Sequence, residues 1–351
     1  MALRQLHNLL DRWPWVAFCN PPWPDLMPQP ARLPEHITRR LRLPLIAAPM
    51  LNVSGVDLVV AACRNGVIGA FPTANARSSA ELDQWLTEIA ARLFAAPEEA
   101  APCCPNLIMR SPRLAEDLAC LLAHRVELVI TSVGSPAPVV AALHGIGCLV
   151  LADVATLAHA RKAIAAGVDG LVLLSAGAGG QTGWLNPLAF VRALRAEYDG
   201  LLVLAGGISD GVALRASQLL GCDLAYMGTR FIATWESLAD DAYRQMLVAC
   251  CADDVLLTRA FTGLPTSMLA PAIRRAGLDP TKLDEQVSPA TAAQLFGGAS
   301  HQDPSVASAA EGPRRWRDIW SAGHSVSGVR AVLTVDVLVA QLEQEFHSAL
   351  A

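Results

Sequence analysis

The sequence predicts an α/β protein in which eight parallel strands close into a (β/α)8 TIM barrel, with a smaller, mainly helical lid domain. Short apolar runs alternate with segments of helical period from residue 38 to about residue 236. The runs are continuously apolar, as expected of parallel strands that are buried on both faces. Eight strand–helix units in succession favour a closed barrel over an open sheet.

The strands are bounded by recognisable helix signals. The segment TLAHARKAIAAG ends at Gly167 and SDGVALRASQLLG ends at Gly221, and glycine is the usual residue just after a helix. A helix over NPLAFVRALRAEY begins with Asn186 as cap and Pro187 in the first turn. The eight predicted strands are residues 44–48, 66–71, 105–109, 126–132, 146–152, 170–175, 201–205 and 223–227.

The remaining segments flank the barrel. Residues 1–37 are proline-rich and predict an arm on the surface, and residues 38–236 are the barrel itself. Residues 237–324 predict a helical lid that includes a loop, FGGASHQDPSVASAAEGP. Residues 325–351 end in an amphipathic segment, TVDVLVAQLEQEFHSAL, which predicts a helix that returns to the barrel.

Composition excludes several classes of function. The 351-residue chain is 53% hydrophobic and 17% charged, and its net charge of −5 provides no basic surface for nucleic acid. The long apolar stretch 128–152 is interrupted by GSPAP and HGIG, so it predicts buried strands and no membrane span. The N-terminal residues do not resemble a signal peptide. So apolar a chain would be consistent with a homo-oligomer that buries surface between subunits.

The cysteines and the other metal-ligand residues point to no metal. Nine cysteines form no CxxC pair, and the adjacent pairs Cys103–Cys104 and Cys250–Cys251 suit neither a disulfide framework nor a zinc site. We therefore expect reduced thiols and a cytoplasmic protein.

Two glycine-rich loops predict a phosphate site. In barrels of this type, phosphate is typically bound by the loops after the last two strands. Here those loops contain Gly206, Gly207 and Ser209, then Gly228 and Thr229. Glycine lets backbone N–H groups approach an anion closely, and Ser209 could cap the following helix.

A third glycine-rich loop, SAGAGGQTGW at residues 175–184, lies between a strand and a helix. Such a loop usually binds an anion. Ala178, Gly180 and Gly183 approximate a dinucleotide fingerprint, with Glu197 or Asp199 as its acidic residue. The first position is alanine, however, and the strand is the sixth of its series, so we disfavour a Rossmann site.

Several motifs carry a family resemblance over residues 38–351. PLIAAPMLNVSG, NGVIGAF, GAGGQTG, LAGGISDG, YMGTRFIAT, FTGLP and WSAGHSVSG resemble the nitronate monooxygenase family, also called 2-nitropropane dioxygenases. The resemblance implies an FMN-bound TIM barrel, a flavoprotein oxidoreductase that oxidises alkyl nitronates with O2 to a carbonyl compound and nitrite. Carried over by position, it implies cofactor contacts from Pro49, Met50, Asn52, Asn106, Val154, Gly179, Gly180, Ala205, Gly206, Gly207, Gly228 and Thr229.

The chain departs from the family at two positions. The glycine loop of the family ends in histidine, where this chain has Gln181, and an amide cannot accept a proton at neutral pH. A nitronate is already deprotonated, so Gln181 could still stabilise it. Near the C-terminus the family carries SAGQ, where this chain has SAGH with His324. One hypothesis is that His324 is a relocated acid or base; the other is that it only packs or lies on the surface.

Other polar and aromatic residues are weaker pocket candidates. Asp153, just past the fifth strand at the catalytic end, is the best of them, and Trp184 could form a wall of the substrate pocket. His144 lies near the start of the fifth strand, and His159 is expected on the outer face of a helix. We take Gln181, His324 and Asp153 as the candidate catalytic residues.

Three functions stay open. The first is FMN-dependent oxidation of nitronates. The second is reduction or desaturation of acyl thioesters, because enoyl-thioester reductases resemble the same barrel and use NAD(P)H. The apolar residues Leu51 and Trp184 would suit an acyl chain. The third is a flavin-binding protein without catalysis.

Overall fold

Eight parallel strands form a closed barrel, which confirms the predicted fold class. The computed structural model describes residues 32–94, 99–296 and 312–349. Each barrel strand pairs with the next along the chain, and the last pairs with the first. The barrel strands are β1 (Leu45–Ala47), β2 (Ile68–Pro72), β3 (Cys103–Ile108), β4 (Leu128–Ser132), β5 (Leu149–Val154), β6 (Gly170–Leu174), β8 (Leu201–Ala205) and β9 (Leu224–Met227).

Branched apolar side chains fill the barrel interior. Ile46, Ile130 and Val203 are fully buried there, because alternate residues of each strand point inward. A short helix, α1 (Glu35–Thr38), places Ile37 in the same cluster, together with Leu33. These two residues close the N-terminal end of the barrel.

Helices cover the outside of the barrel. Asn186 accepts hydrogen bonds from the N–H groups of Leu188 and Ala189, which confirms it as a helix cap. Asp210, and not the expected Ser209, caps the helix after β8, because its carboxylate reaches the N–H of Ala213. These helices are α2 (Val56–Arg64), α3 (Ser79–Leu93), α4 (Leu114–Ala123), α5 (Ala137–His144), α6 (Leu157–Ala165), α7 (Pro187–Arg195) and α8 (Gly211–Leu220).

The eighth helix of the barrel comes from the end of the chain. After β9 and the short α9 (Thr229–Ile232), the chain leaves the barrel, and a bridge between Thr234 and Leu333 marks where it returns. The helix α13 (Val335–Ser348) then packs against α8 and α2. Gly211 allows this, since a Cβ there would lie 2.2 Å from the carbonyl oxygen of Leu342.

The segment between those two points forms a lid that contains a sheet as well as helices. Its helices are α10 (Asp241–Ala249), α11 (Ala270–Arg275) and α12 (Pro289–Phe296). Its strands β10 (Val255–Thr258) and β11 (Thr266–Leu269) pair with β7 (Gly180–Gln181) in an antiparallel sheet. No sequence pattern indicated this sheet, because its strands have only two to four residues and one of them belongs to the glycine loop of the barrel.

Some predictions fall on residues outside the described ranges. Most of the N-terminal arm, residues 1–31, and most of the lid loop, residues 297–311, are among them. Within the described ranges, the eight cysteines are all free thiols. No helix there is both long and apolar enough to cross a membrane.

Candidate active site

A single large cavity lies at the C-terminal end of the barrel strands, under the lid. Its volume is about 1370 Å3, and it is lined by residues from all eight barrel strands or the loops that follow them. The lid contributes Leu264, Arg315, Trp316 and Trp320, which the sequence did not identify as site residues. Their position in the cavity wall depends on long-range packing of the lid, and no local sequence motif indicates it.

The glycine loop forms one side of this cavity. Gly179, Gly180 and Gln181 all line it, and the backbone of Gln181 pairs with Thr266 of the lid sheet. The Gln181 side chain is half-buried and makes no hydrogen bond to any described residue. Its amide is therefore available to a ligand in the cavity.

The loop after β8 offers backbone donors. Gly206 and Gly207 have φ angles of +117° and +76°, a region that side chains other than glycine rarely adopt. A Cβ added to Gly207 would meet no atom within 4 Å, so its backbone faces open space. Within the described ranges, the N–H groups of Gly179, Gly206 and Gly207 have no hydrogen-bond partner. Such a set of free N–H groups suits a phosphate.

A hydrogen bond to the returning end of the lid holds the loop after β9 in place. Gly228 and Thr229 line the cavity, and the Thr229 hydroxyl accepts a hydrogen bond of 3.0 Å from the N–H of Gly323. The neighbouring Arg230 is turned away and donates to the carbonyl oxygens of Ser209 and Gly328. An anion at these loops would therefore be bound by neutral backbone groups.

The loop after β1 is fixed by a residue that the sequence analysis missed. Asn75 donates to the carbonyl oxygens of Met50 and Ser54, and its own carbonyl accepts from the N–H of Asn52. Pro49 and Met50 line the cavity as predicted. Asn52 does not line it, because it turns the loop with φ +60° and its side chain is exposed. Asn75 ends the 3-10 turn Thr73–Asn75 that follows β2, and this position close to a strand end was the available signal.

Two further predicted contacts line the cavity. Asn106 is buried, donates to the carbonyl oxygen of Ile130 and accepts from the hydroxyl of Ser132. Val154 is also buried in the cavity wall. The predicted cofactor residues that line the cavity are Pro49, Met50, Asn106, Val154, Gly179, Gly180, Ala205, Gly206, Gly207, Gly228 and Thr229.

Asp153 is the only acid among the described residues that line the cavity. It lies within β5, and not beyond the strand as expected, because β5 continues to Val154. Its Oδ1 atom is buried without a hydrogen-bond partner. This burial raises the pKa of Asp153 to about 7. A carboxyl group in this state can take up or release a proton near neutral pH.

Of the three histidines singled out in the sequence, only His159 lines the cavity. His324 is exposed and its ring lies against Gly177, while its neighbour Ser325 lines the cavity. His324 is therefore not placed as a relocated acid or base. His144 bonds Asp169 at 2.9 Å, and Asp169 precedes β6 at the opposite end of the barrel. His159 is exposed on α6 as expected, although it borders the outer part of the cavity.

A group of possible metal ligands lies elsewhere. In the part of the chain that the structure describes, Asp83, Cys120 and His124 are the one trio whose ligand atoms lie within 4.8 Å of one another. They belong to α3 and α4 or the residue after it, and none lines the cavity. His124 already bonds Asp83 at 2.7 Å.

The fold and the site define an α/β barrel with a large cavity at the C-terminal end of its strands, and comparison with known proteins gives the family. The family model for nitronate monooxygenase matches residues 36–345, so the chain belongs to this family of flavin-dependent oxidoreductases. A nitronate monooxygenase of Paraburkholderia phytofirmans is 27% identical, with 88% of this chain and 93% of that protein aligned.

Two other relatives are named for other reactions. The solved nitroalkane oxidase of Streptomyces ansochromogenes superposes with a TM-score of 0.70 at 25% identity, over 90% of this chain and 99% of that one. A Mycobacterium tuberculosis protein named (3aS,4S,5R,7aS)-5-hydroxy-7a-methyl-1-oxo-octahydro-1H-indene-4-carboxyl-CoA dehydrogenase is 25% identical over 64% of this chain and 62% of its own length.

The raised pKa of Asp153 predicts how the free energy of unfolding depends on pH. Because the folded protein disfavours the ionised carboxylate, Asp153 lowers the free energy of unfolding increasingly as pH rises from about 4 to 7. Above pH 7 this effect is complete. We expect Asp153→Asn to raise the free energy of unfolding by about 2–4 kcal/mol at pH 8, since each pKa unit corresponds to about 1.4 kcal/mol. Near pH 4 both side chains are neutral and the gain should shrink towards zero. Urea unfolding of the cofactor-free protein at both pH values measures it.

The control is Asp279→Asn. The pKa of Asp279 is lowered because the N–H and hydroxyl of Thr281 donate to its carboxylate, so this variant should gain no stability at pH 8. A gain from Asp153→Asn that is the same at pH 4 and pH 8 would contradict the raised pKa.

Proposed function

We propose that this protein is an FMN-dependent enzyme that oxidises alkyl nitronates with O2 to a carbonyl compound and nitrite. The observation that carries the proposal is the cavity wall itself, where unpartnered backbone N–H groups and the free amide of Gln181 line the same cavity. Such a wall suits a phosphate-bearing cofactor and a substrate that is already an anion.

The residues present fit FMN. Gly207 and Gly179 offer N–H groups to the phosphate, and no charged side chain is needed there. Pro49, Met50 and Val154 provide apolar surface of the kind that a flavin ring packs against. When bound, FMN supplies the capacity to accept electrons from the substrate and to react with O2.

The polar residues have two roles, binding of the substrate and transfer of protons. The Gln181 amide donates hydrogen bonds to the oxygens of the nitronate and orients it. Asp153 holds a proton at its buried carboxyl near neutral pH and can release or take it up as charge in the cavity changes. The lid residues Trp316 and Trp320 exclude water from the same space.

The first test concerns the phosphate. Gly207→Ala should weaken FMN binding at least tenfold, because the methyl group would occupy the open space beside the free N–H and strain a backbone at φ +76°. FMN affinity is measured by fluorescence titration of the cofactor-free protein.

A matched control separates strain from binding. Gly147 has φ +78° and its added Cβ would also meet no atom within 4 Å, but it lies far from the cavity wall, before β5. Gly147→Ala should lose similar stability, about 1 kcal/mol, and keep its FMN affinity. Equal FMN affinities in the two variants would contradict the assignment of Gly207.

The second test concerns the proton. The wild-type protein should release nitrite from propyl-2-nitronate at least 100-fold more efficiently than from neutral 2-nitropropane, since general-base catalysis contributes about 10²–10⁴-fold and Gln181 cannot provide it. Gln181→His should narrow that gap by accelerating the neutral substrate. Steady-state nitrite release at pH 7 measures both.

Two outcomes would contradict the roles proposed for Gln181 and Asp153. Turnover of 2-nitropropane close to that of the nitronate would remove the role given to Gln181. If that turnover also disappeared in Asp153→Asn, the base would be Asp153.

A second candidate function is oxidation or reduction of an acyl thioester. The cavity of about 1370 Å3 exceeds the usual range of about 300–1,000 Å3 for a ligand pocket, and FMN with a small nitronate would leave part of it unfilled. One relative is named as a carboxyl-CoA dehydrogenase. Flavin reduction by butyryl-CoA without O2, in a protein that ignores nitronates, would favour this candidate.

A further inference from the structure

The cavity does not end at the mouth of the barrel. One face of α6 lines it, because Thr156, His159, Lys162, Ala163 and Ala166 follow the spacing of a single helical face. At about 1.5 Å per residue, this face extends for about 15 Å. The opposite wall is the turn before α5, residues 133–137, with Arg110 after β3. The outer part of the cavity is therefore a long groove beside α6.

The groove is cationic in a protein whose net charge is −5. Arg110 and Lys162 are exposed along it, and neither forms an ion pair with any described residue. Arg161, on the other side of α6, is paired with Glu197. Asp153, the single acid among the described residues that line the cavity, lies at its inner end within β5. Such a local excess of positive charge attracts anionic groups.

The entrance between groove and inner cavity is apolar. Trp184 is 80% exposed, and Leu51, Val133 and Leu264 also show large exposed apolar side chains there. Exposed apolar surface of this kind marks a binding site in a soluble protein. A ligand that fits both parts has an apolar group, a long thin arm and phosphates at its far end.

We propose that the groove beside α6 binds the phosphate-bearing arm of a coenzyme A thioester, with Arg110 and Lys162 as its phosphate-binding residues. The acyl group would lie at the apolar entrance beside Trp184. This assignment rests on the flavin site of the proposed function and is independent of whether a nitronate is oxidised there. An alkyl nitronate is too short to occupy the groove.

The test compares two thioesters that differ only in the far end of the arm. Butyryl-CoA carries the phosphates, and S-butyryl-pantetheine lacks them. Calorimetric titration of the FMN-loaded full-length protein should show at least tenfold tighter binding of butyryl-CoA, and the difference should shrink as salt is raised. Lys162→Glu and Arg110→Glu should each remove most of that difference and leave the affinity for S-butyryl-pantetheine unchanged.

The matched control is Arg161→Glu, which makes the same charge change one residue away on the outer side of α6. It should keep the preference for butyryl-CoA. Equal affinities of the two thioesters in the wild-type protein would overturn the proposal, as would an Arg161→Glu effect as large as that of Lys162→Glu. Binding of NADPH at the affinity of butyryl-CoA, with the same loss in Lys162→Glu, would also overturn it. FMN absorbance in every variant shows separately whether the flavin site is intact.

Discussion

The architecture of the site depends on a close approach of backbones at the top of the barrel. A Cβ on Gly179 would lie 2.7 Å from the nitrogen of Gly323, and one on Gly323 would lie 2.7 Å from the carbonyl oxygen of Gly177. The glycine loop after β6 and the returning lid segment can pack this closely only because neither carries a side chain there. Thr229 adds a hydrogen bond to the same Gly323. This contact fixes the lid over the cavity and leaves neighbouring N–H groups facing it.

Asp153 is the one carboxyl group among the described residues that line the cavity. Its Oδ1 atom is buried without a hydrogen-bond partner, and this burial raises its pKa to about 7. Gln181 lies on the glycine-rich wall and is held in place by pairing of β7 with β11. The proposed chemistry gives anion binding to Gln181 and the backbone N–H groups, and proton transfer to Asp153.

Much of this could be predicted from the sequence, because the deciding signals are local. A parallel strand that is buried on both faces must be apolar throughout, so the apolar pattern located all eight barrel strands. The glycines at 206 and 207, at the end of a strand, indicated backbone N–H donors. The sequence did not place Asn52 or His324, since their orientation depends on Asn75 and on how the lid packs on Gly177. It also missed the lid sheet, whose strands have two to four residues.

The proposed reaction requires that the protein binds FMN and that a nitronate reduces it. The measurement is the absorbance spectrum of the purified protein, followed by anaerobic titration with propyl-2-nitronate and, separately, with NADPH. We predict a yellow protein that releases one FMN per chain on denaturation, with bleaching by the nitronate and none by NADPH. A colourless protein that takes up no FMN, or bleaching by NADPH alone, would contradict it.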